Sequence, residues 1–272
     1  MTEATIIIAV YNHWNWLRVI LDALGRQSVR DFEVVVADDG SKPEIGLNIE
    51  QLRPQLPFDI KHCRHEDRGW RKNIILNRAV EASCGKVIIF LDGDCVPHHR
   101  FVEDHLAAHR SCRVFAGRRA EIPAVVSAMA EAGEISTLPQ LKNALRRHFV
   151  AVWRTHRPLR HVRLPLVGGK LLLKRFRHSI LGCNFSIDRS LLLDLNGFDE
   201  RYLAPGTGED TDVDVRLENM GVDVMVASYN AIQYHRCHKH FDLKVEANLA
   251  LLEENRRGGV VRTPYGIIKE QD

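Results

Sequence analysis

The 272-residue chain has no apolar run near the roughly 20 residues a membrane-crossing helix requires, which excludes an integral helical membrane protein. It holds six cysteines, Cys63, Cys84, Cys95, Cys112, Cys183 and Cys237, and no C-x-x-C pair. A disulfide scaffold is thereby excluded, and reduced, packed thiols are expected. With 18 Gly and 10 Pro the chain is too poor in both for a collagen-like or low-complexity polymer, and 45% apolar residues are too many for a disordered one. No basic stretch followed by a long apolar one opens the chain: Met1-Thr-Glu-Ala runs straight into Ile6-Ile-Ile-Ala-Val10. A cytoplasmic protein is therefore expected. No G-x-G-x-x-G follows Val10. Tyr11-Asn-His-Trp14 stands where a nicotinamide enzyme or a sugar-nucleotide-forming nucleotidyltransferase would carry a Gly-rich phosphate loop.

Acids are missing from one long stretch. Between Lys142 and His178 there are 11 Lys and Arg, four His, and no Asp or Glu. Taking those 11 from the total of 38 leaves 27 basic residues against 35 acidic ones, so a cationic segment is set into an otherwise acidic chain whose net charge is only +3. Leu145, Phe149, Val152, Trp153, Leu159, Leu164, Leu166 and Leu171–Leu173 are interleaved with the charges. Such a mixture suits an anionic membrane surface or an acidic acceptor glycan, and a plain solvated insert is the ordinary alternative. A nucleic-acid-binding module would explain the basic residues but not the acids at strand ends described next, which repel phosphate, so no nucleic-acid partner is expected.

What is present is an alternation of strand and helix signals. Thr5–Val10, Phe32–Ala37, Asp59–Cys63 and Lys86–Leu91 read as strands. Between them, helical spacing runs through Leu17, Ile20, Leu21 and Leu24, over 44–52, and from Gly69-Trp-Arg-Lys72 through Ile74, Ile75, Leu76, Ala79 and Val80. The alternation predicts an α/β fold, a single mostly parallel central sheet flanked by helices on both faces. The second half reads as a helix over 124–135, a strand at 181–187, helices at 189–195 and 212–220, a late strand at 222–227 and a final helix over 242–257. Residues 1–120 are expected to form one half of a single domain and 121–272 the other, with the cationic insert at 142–178.

Ligands in such sheets bind beyond the carboxyl ends of the strands, which selects Val10-Tyr-Asn12, Asp38-Asp39 and Asp92-Gly93-Asp94 as one cluster. Two carboxylates on a tight turn suit a hard divalent cation, Mg²⁺ or Mn²⁺, bound together with substrate phosphates. Asp38 and Asp39 could equally be turn formers, and Glu209-Asp210 could equally cap a helix. The functional alternative for the latter pair is a general base.

Together, Val10-Tyr-Asn12, Asp38-Asp-Gly-Ser41, Phe90-Leu-Asp-Gly-Asp94 and Gly208-Glu-Asp210 resemble the family 2 glycosyltransferases of the GT-A fold. Gly69-Trp-Arg-Lys-Asn-Ile-Ile-Leu-Asn77 resembles that family's nucleotide-sugar segment, including Arg71 and Asn77. Gly182-Cys-Asn184, Gly197-Phe-Asp199 and Gly208-Glu-Asp-Thr-Asp212 resemble the C-terminal part of β-galactosyltransferases and chondroitin-type synthases. The resemblance implies an inverting transfer from a nucleotide-sugar, most often a UDP-sugar, to a glycan or glycolipid, as in polysaccharide synthesis on the inner face of a membrane. It implies that Val10, Tyr11, Asn12, Arg71, Asn77 and Gly93 line the nucleotide-sugar site. Asp38 or Asp39 would meet the base, Asp92 the ribose and metal side, and Asp94 the Mn²⁺ or Mg²⁺. Asp210 would be the base, Glu209 and Asn184 would hold the acceptor, and His235 would be the second metal ligand, with His238 and His240 as competitors. Ala204-Pro205 replaces the tryptophan frequent before Gly-Glu-Asp, and no Q-x-x-R-W is present, which argues against a processive membrane synthase.

Overall fold

The computed structural model describes residues 2–155, 158–164, 173–175, 180–238 and 245–269. In the first half, β1 (Ala4–Val10), α1 (Trp14–Gly25), β2 (Phe32–Asp38), α2 (Pro43–Leu52), β3 (Ile60–Arg64), α3 (Lys72–Ala82) and β4 (Val87–Asp92) follow one another. There follow β5 (Cys95–Pro97), α4 (Phe101–Ala108), β6 (Val114–Ala116), β7 (Arg118–Glu121), α5 (Ala124–Glu131), α6 (Leu138–Arg147) and α7 (Phe149–Trp153). After β8 (Lys174–Arg175) come β9 (Asn184–Asp188), α8 (Arg189–Asp194), α9 (Glu209–Asn219), β10 (Met225–Val226), β11 (Ile232–His235) and α10 (Glu246–Arg257).

Eight strands form one sheet in the order β3-β2-β1-β4-β9-β6-β10-β8. The pairs β3/β2, β2/β1, β1/β4 and β6/β10 are parallel, while β9 and β8 run against their neighbours. Both faces are covered, which is why β1, β2 and β4 read as nearly continuous apolar runs, broken only by the buried, bonded pair Thr5 and Glu33 before their last residues. Ile6, Ile8, Val34, Val36, Ile89 and Leu91 pack toward α1 on one face. Ile7, Val35, Ile88 and Phe90 pack toward Ile75, Ala79, Leu191 and Val213 on the other. The helical spacing read from Leu17, Ile20, Leu21 and Leu24 is the buried side of α1.

A second sheet, β5-β11-β7, was not legible in the sequence. Its strands have three or four residues, too few for an alternation to show. It matters because its register sets His235 opposite Cys95 and beside Glu121. Among the described residues no helix is long and apolar enough to cross a membrane.

The start of α9 is fixed by a buried ion pair. Arg216 donates to Asp212 at 2.7 Å and to the carbonyls of Leu195 and Gly197 at 2.8 and 2.9 Å. Asp212 also accepts from Tyr202 at 3.1 Å and Asn255 at 2.8 Å. Gly208, just before α9, has φ +141°, and a Cβ there would lie 2.2 Å from the Tyr202 ring. Only glycine can enter the helix at that angle and that distance.

Candidate active site

The parallel register aligns the strand ends. Val10 pairs with Asp38, Ala9 with Asp92, and Asp38 with Arg64. A cleft of about 240 Å³ opens beyond these ends. Val10 and Gly93 lie in its wall, Tyr11, His13 and Trp70 contribute rings, and Asp39, Asp92 and Asp94 contribute carboxylates. Gly93 must be small, because a Cβ would lie 2.8 Å from the Ala9 carbonyl. Asn12 turns the chain out of β1 at φ +57°, a conformation asparagine tolerates. Its backbone N–H donates to Ser41 Oγ and its side-chain Oδ1 accepts from Lys42 N, both at 2.9 Å, which ties the β1 and β2 loops together.

Asp38 and Asp39 separate by environment. Asp38 is fully buried, within 2.9 Å of His62 Nε2 and accepting from Ser41 N at 2.6 Å. Burial alone would raise its pKa, but the bonds from His62 and Ser41 outweigh burial and hold it below the usual carboxylate value. Asp39 lines the cleft, accepts from Arg71 N at 3.1 Å and lies 2.7 Å from His65 Nε2. Burial raises its pKa despite those bonds. Arg71 thus contributes its backbone N–H here, and Tyr11 is steadied by a 3.0 Å bond from its hydroxyl to Asp67.

Asn77 and Asn184 also stand outside the cleft. Asn77 donates to Phe198 O and Glu200 Oε1, both at 2.9 Å, and accepts from Phe198 N at 2.8 Å. It bolts α3 to the Gly197-Phe198 turn. Asn184 is fully buried, donates to Ala231 O at 2.8 Å and to Arg118 O at 3.2 Å, and has its Oδ1 within 3.2 Å of His105. Asn77→Ala should therefore cost about 1–3 kcal/mol by leaving the Phe198 amide and carbonyl unpaired. Urea unfolding checks this, and nucleotide-sugar affinity of the folded variant should stay within twofold.

Asp92 and Glu209 are joined by Lys72, a residue not singled out from the sequence. Its Nζ lies 2.8 Å from Asp92 and 2.6 Å from Glu209, 137 positions away. Burial would lower its pKa, but the two carboxylates outweigh this and hold the ammonium well above its ordinary range. The available signal was a cation in the first turn of α3, where the helix dipole disfavours positive charge unless acids lie nearby. Lys72 and Asp92 also border a smaller cavity lined by Gly182, Glu209 and Asp210, so they form the wall between the two spaces. Asp210 accepts from Gly182 N at 2.7 Å and from Thr211 N at 2.8 Å, which fixes the plane of its carboxylate.

Burial raises the Glu209 pKa to about 7, with Lys72 opposing and the charges of Asp210 and Asp92 adding to the rise. The 2.6 Å contact with Lys72 couples the titration of the two groups. As pH rises from 4.5 toward 7, the unfolded chain releases a proton that folded Glu209 retains, and stability falls through that window. Glu209→Gln should flatten the slope of unfolding free energy between ~pH 5 and ~pH 7, as read by urea titrations.

Asp94, Cys95 and His235 bring ligand atoms within 4.8 Å of one another, the one such group of three among the described residues. Cys95 is buried, its pKa pushed well up by burial and then by Cys183, so it remains a thiol and donates to Asp94 at 3.4 Å. The remaining oxygen and nitrogen donors fit Mn²⁺ or Mg²⁺ better than a soft ion. His235 Nδ1 lies 2.9 Å from Glu121 Oε2, a carboxylate–imidazole pair that fixes the ring and makes Nε2 the basic nitrogen. His238 is also drawn in, with Nε2 3.5 Å from Asp94 and its ring 4.9 Å from that of His235. Glu121 and Arg236, the latter 3.7 Å from Asp94, were not anticipated, and His240 lies outside the described residues.

The model of glycosyl transferase family 2 matches residues 5–162. A chondroitin synthase of Escherichia coli is 31% identical over 103 residues, which make up 38% of this chain and 15% of that protein. The chain thus spans under a sixth of that relative's length. Among solved structures, residues 1–349 of S. aureus TarS superpose with a TM-score of 0.58 at 18% identity, over 86% of this chain and 60% of that one. The mannosyltransferase PcManGT of Pyrobaculum calidifontis, in complex with GDP-Man and Mn²⁺, superposes at 0.55 and 19% identity over 88% and 58%. The shared architecture is the GT-A fold. With the family model covering more than half of its 272 residues, the chain belongs to glycosyl transferase family 2.

Proposed function

We propose that this protein is a metal-dependent, inverting glycosyltransferase moving a sugar from a nucleotide-sugar, a UDP-sugar, to a hydroxyl of a glycan or glycolipid. One observation carries the reading: Asp92, Asp94, Glu209 and Asp210 converge beside an aromatic-lined cleft, with Lys72 as the cation paired between two of them. Relatives of the same fold bind such donors, TarS as complexes with UDP and UDP-GlcNAc and PcManGT with GDP-Man and Mn²⁺.

Residues 1–120 are the donor half in this reading. Asp39, oriented by the Arg71 amide, meets the base, Tyr11 and Trp70 flank it, and Val10, Asn12 and Gly93 shape the wall. Asp38 and Asn77 support that wall from behind. Asp94 with His235 would hold Mn²⁺ or Mg²⁺, which as a Lewis acid offsets charge on the departing diphosphate. Residues 121–272 are the acceptor half, where Glu209 orients the acceptor hydroxyl and Asn184 braces the strand behind it. Asp210 takes the hydroxyl proton as the oxygen bonds to the anomeric carbon and the bond from that carbon to the diphosphate breaks. Attack from the face opposite the leaving group inverts the centre. A glycolipid acceptor would place the enzyme at the cytoplasmic face of a membrane.

The test is a thermal-shift screen of nucleotide-sugars with and without Mn²⁺. A true donor at ~100 times its Kd stabilises by about 2.7 kcal/mol. Slow release of UDP from that donor without an acceptor should accompany the shift. No stabilisation by any nucleotide-sugar, with metal present, would overturn the proposal.

A further inference from the structure

Sixteen large apolar side chains are exposed among the described residues, and six of them fall between Phe149 and Leu164. Phe149, Val150, Trp153, Leu159 and Val162 are each more than half exposed. The local geometry turns them outward. α6 spends Leu138, Leu141, Ala144 and Leu145 on the core, and Val152 is the one buried residue of α7. The other side of α7 presents Phe149 and Trp153 as an edge-to-face pair, ring centroids 5.9 Å apart, with Val150 beside them. The single turn Pro158–His161 begins five residues after Trp153, so at most about 18 Å of chain separates the two parts of the patch.

Positive charge frames this surface. Arg146, Arg147 and Arg154 are exposed and make no ion pair among the described residues. The acid-free run extends from Ile135 to Ile187. Lys142, in the same helix, is held below its ordinary pKa by burial first and then by the charge of Arg146. The turn is also mechanically joined to the candidate metal site: His161 Nε2 lies 3.0 Å from the Glu121 carbonyl, and the Glu121 carboxylate lies 2.9 Å from His235.

We infer that the face formed by Phe149, Val150, Trp153, Leu159 and Val162 with Arg146, Arg147 and Arg154 docks on an anionic lipid bilayer. Aromatic rings and aliphatic chains enter the headgroup boundary while guanidinium groups meet lipid phosphates. An acidic glycan would use the arginines but has no use for Val150, Leu159 and Val162, which offer it no polar contact. A nucleic acid meets the same objection. The inference gives the proposed transferase its lipid surface, yet its test needs neither donor nor acceptor, so either can fail alone.

The experiment is co-sedimentation of the whole chain with vesicles of phosphatidylcholine alone or with about 30% phosphatidylglycerol. The wild type should sediment with the anionic vesicles only, with a blue shift of tryptophan emission. Binding should weaken from 0.1 M to 1 M salt as the screening length shrinks from ≈ 10 to ≈ 3 Å. Combined Arg146→Gln, Arg147→Gln and Arg154→Gln should lower the partition coefficient on the order of a hundredfold. Combined Phe149→Ser and Val150→Ser, which keep Trp153 as the reporter, should abolish the emission shift and the sedimentation, with far-UV dichroism and thermal melting unchanged in both variants. The inference is overturned if the wild type stays in the supernatant at low salt, or if the arginine variant partitions normally. It is equally overturned if the chain ignores vesicles and instead binds an acidic glycan, or forms a dimer that the serine variant dissolves.

Discussion

Asp210→Asn is expected to lose sugar transfer by 10²–10⁴-fold while keeping donor and metal affinity, the range set by removing a general base. The substitution is nearly isosteric, and its local cost is small. Asp210 now accepts from Gly182 N at one oxygen and Thr211 N at the other; asparagine keeps one bond and turns its NH₂ toward the second donor. A modest loss of thermal stability should accompany the kinetic effect, separable from it by measuring turnover well below the melting point. Glu209→Gln is the natural control. Glu209 has the pKa near 7 that suits a base, but its carboxylate is engaged by Lys72 at 2.6 Å, whereas Asp210 makes no ion pair with a cation among the described residues. Turnover lost in Glu209→Gln and kept in Asp210→Asn would exchange their roles. Asp212 is no third choice, because both its oxygens are consumed by Arg216, Tyr202 and Asn255 in the interior.

That contrast shows which parts of the site a sequence can display. The strands ending at Val10, Asp38 and Asp92 are long apolar runs broken by polar turns, and a run buried on both faces leaves a signal at every residue. The acids of Glu209-Asp210 show as a cluster where a helix begins. Asp38 and Asp39, by contrast, are adjacent and chemically identical. Which one faces the cleft depends on the direction of the side chain at the end of β2, and on His62 and His65 more than 20 residues away. Contacts such as Lys72 with Glu209 and Glu121 with His235 join residues 137 and 114 positions apart. No local period encodes such pairs; they exist because β7, β11, α3 and α9 are brought to one end of the sheet. Asn77 and Asn184 teach the converse. An asparagine in a motif can be there for packing, since its amide offers donors and an acceptor that suit a buried turn as well as a ligand.

Asp94→Ala should abolish the metal-dependent part of donor binding. Asp94 is the carboxylate around which His235, His238 and Cys95 gather, whereas Asp92 is paired to Lys72 and cannot replace it without breaking that bond. Calorimetric titration of Mn²⁺ into wild type and variant reads the effect directly, with no turnover required. UDP should then bind the variant with the same affinity whether or not Mn²⁺ is added. Removing one carboxylate also strips a negative charge from beside Arg236, so metal-free UDP is expected to bind the variant no more weakly than the wild type, since its phosphates meet less repulsion. In the proposed reading His235 and His238 compete for the remaining ligand position. His235 is buried and oriented by Glu121, so His235→Ala should weaken Mn²⁺ more than Mg²⁺, imidazole being the better partner of the transition ion. Glu121→Gln should give a smaller loss in the same direction, tenfold or more, because it releases the ring that His235 presents. If His235→Ala is silent and His238→Ala carries the loss, the ligand lies three residues on, at the nitrogen already 3.5 Å from Asp94. If UDP affinity still rises on adding Mn²⁺ to Asp94→Ala, the assignment of the metal to this end of the sheet is wrong.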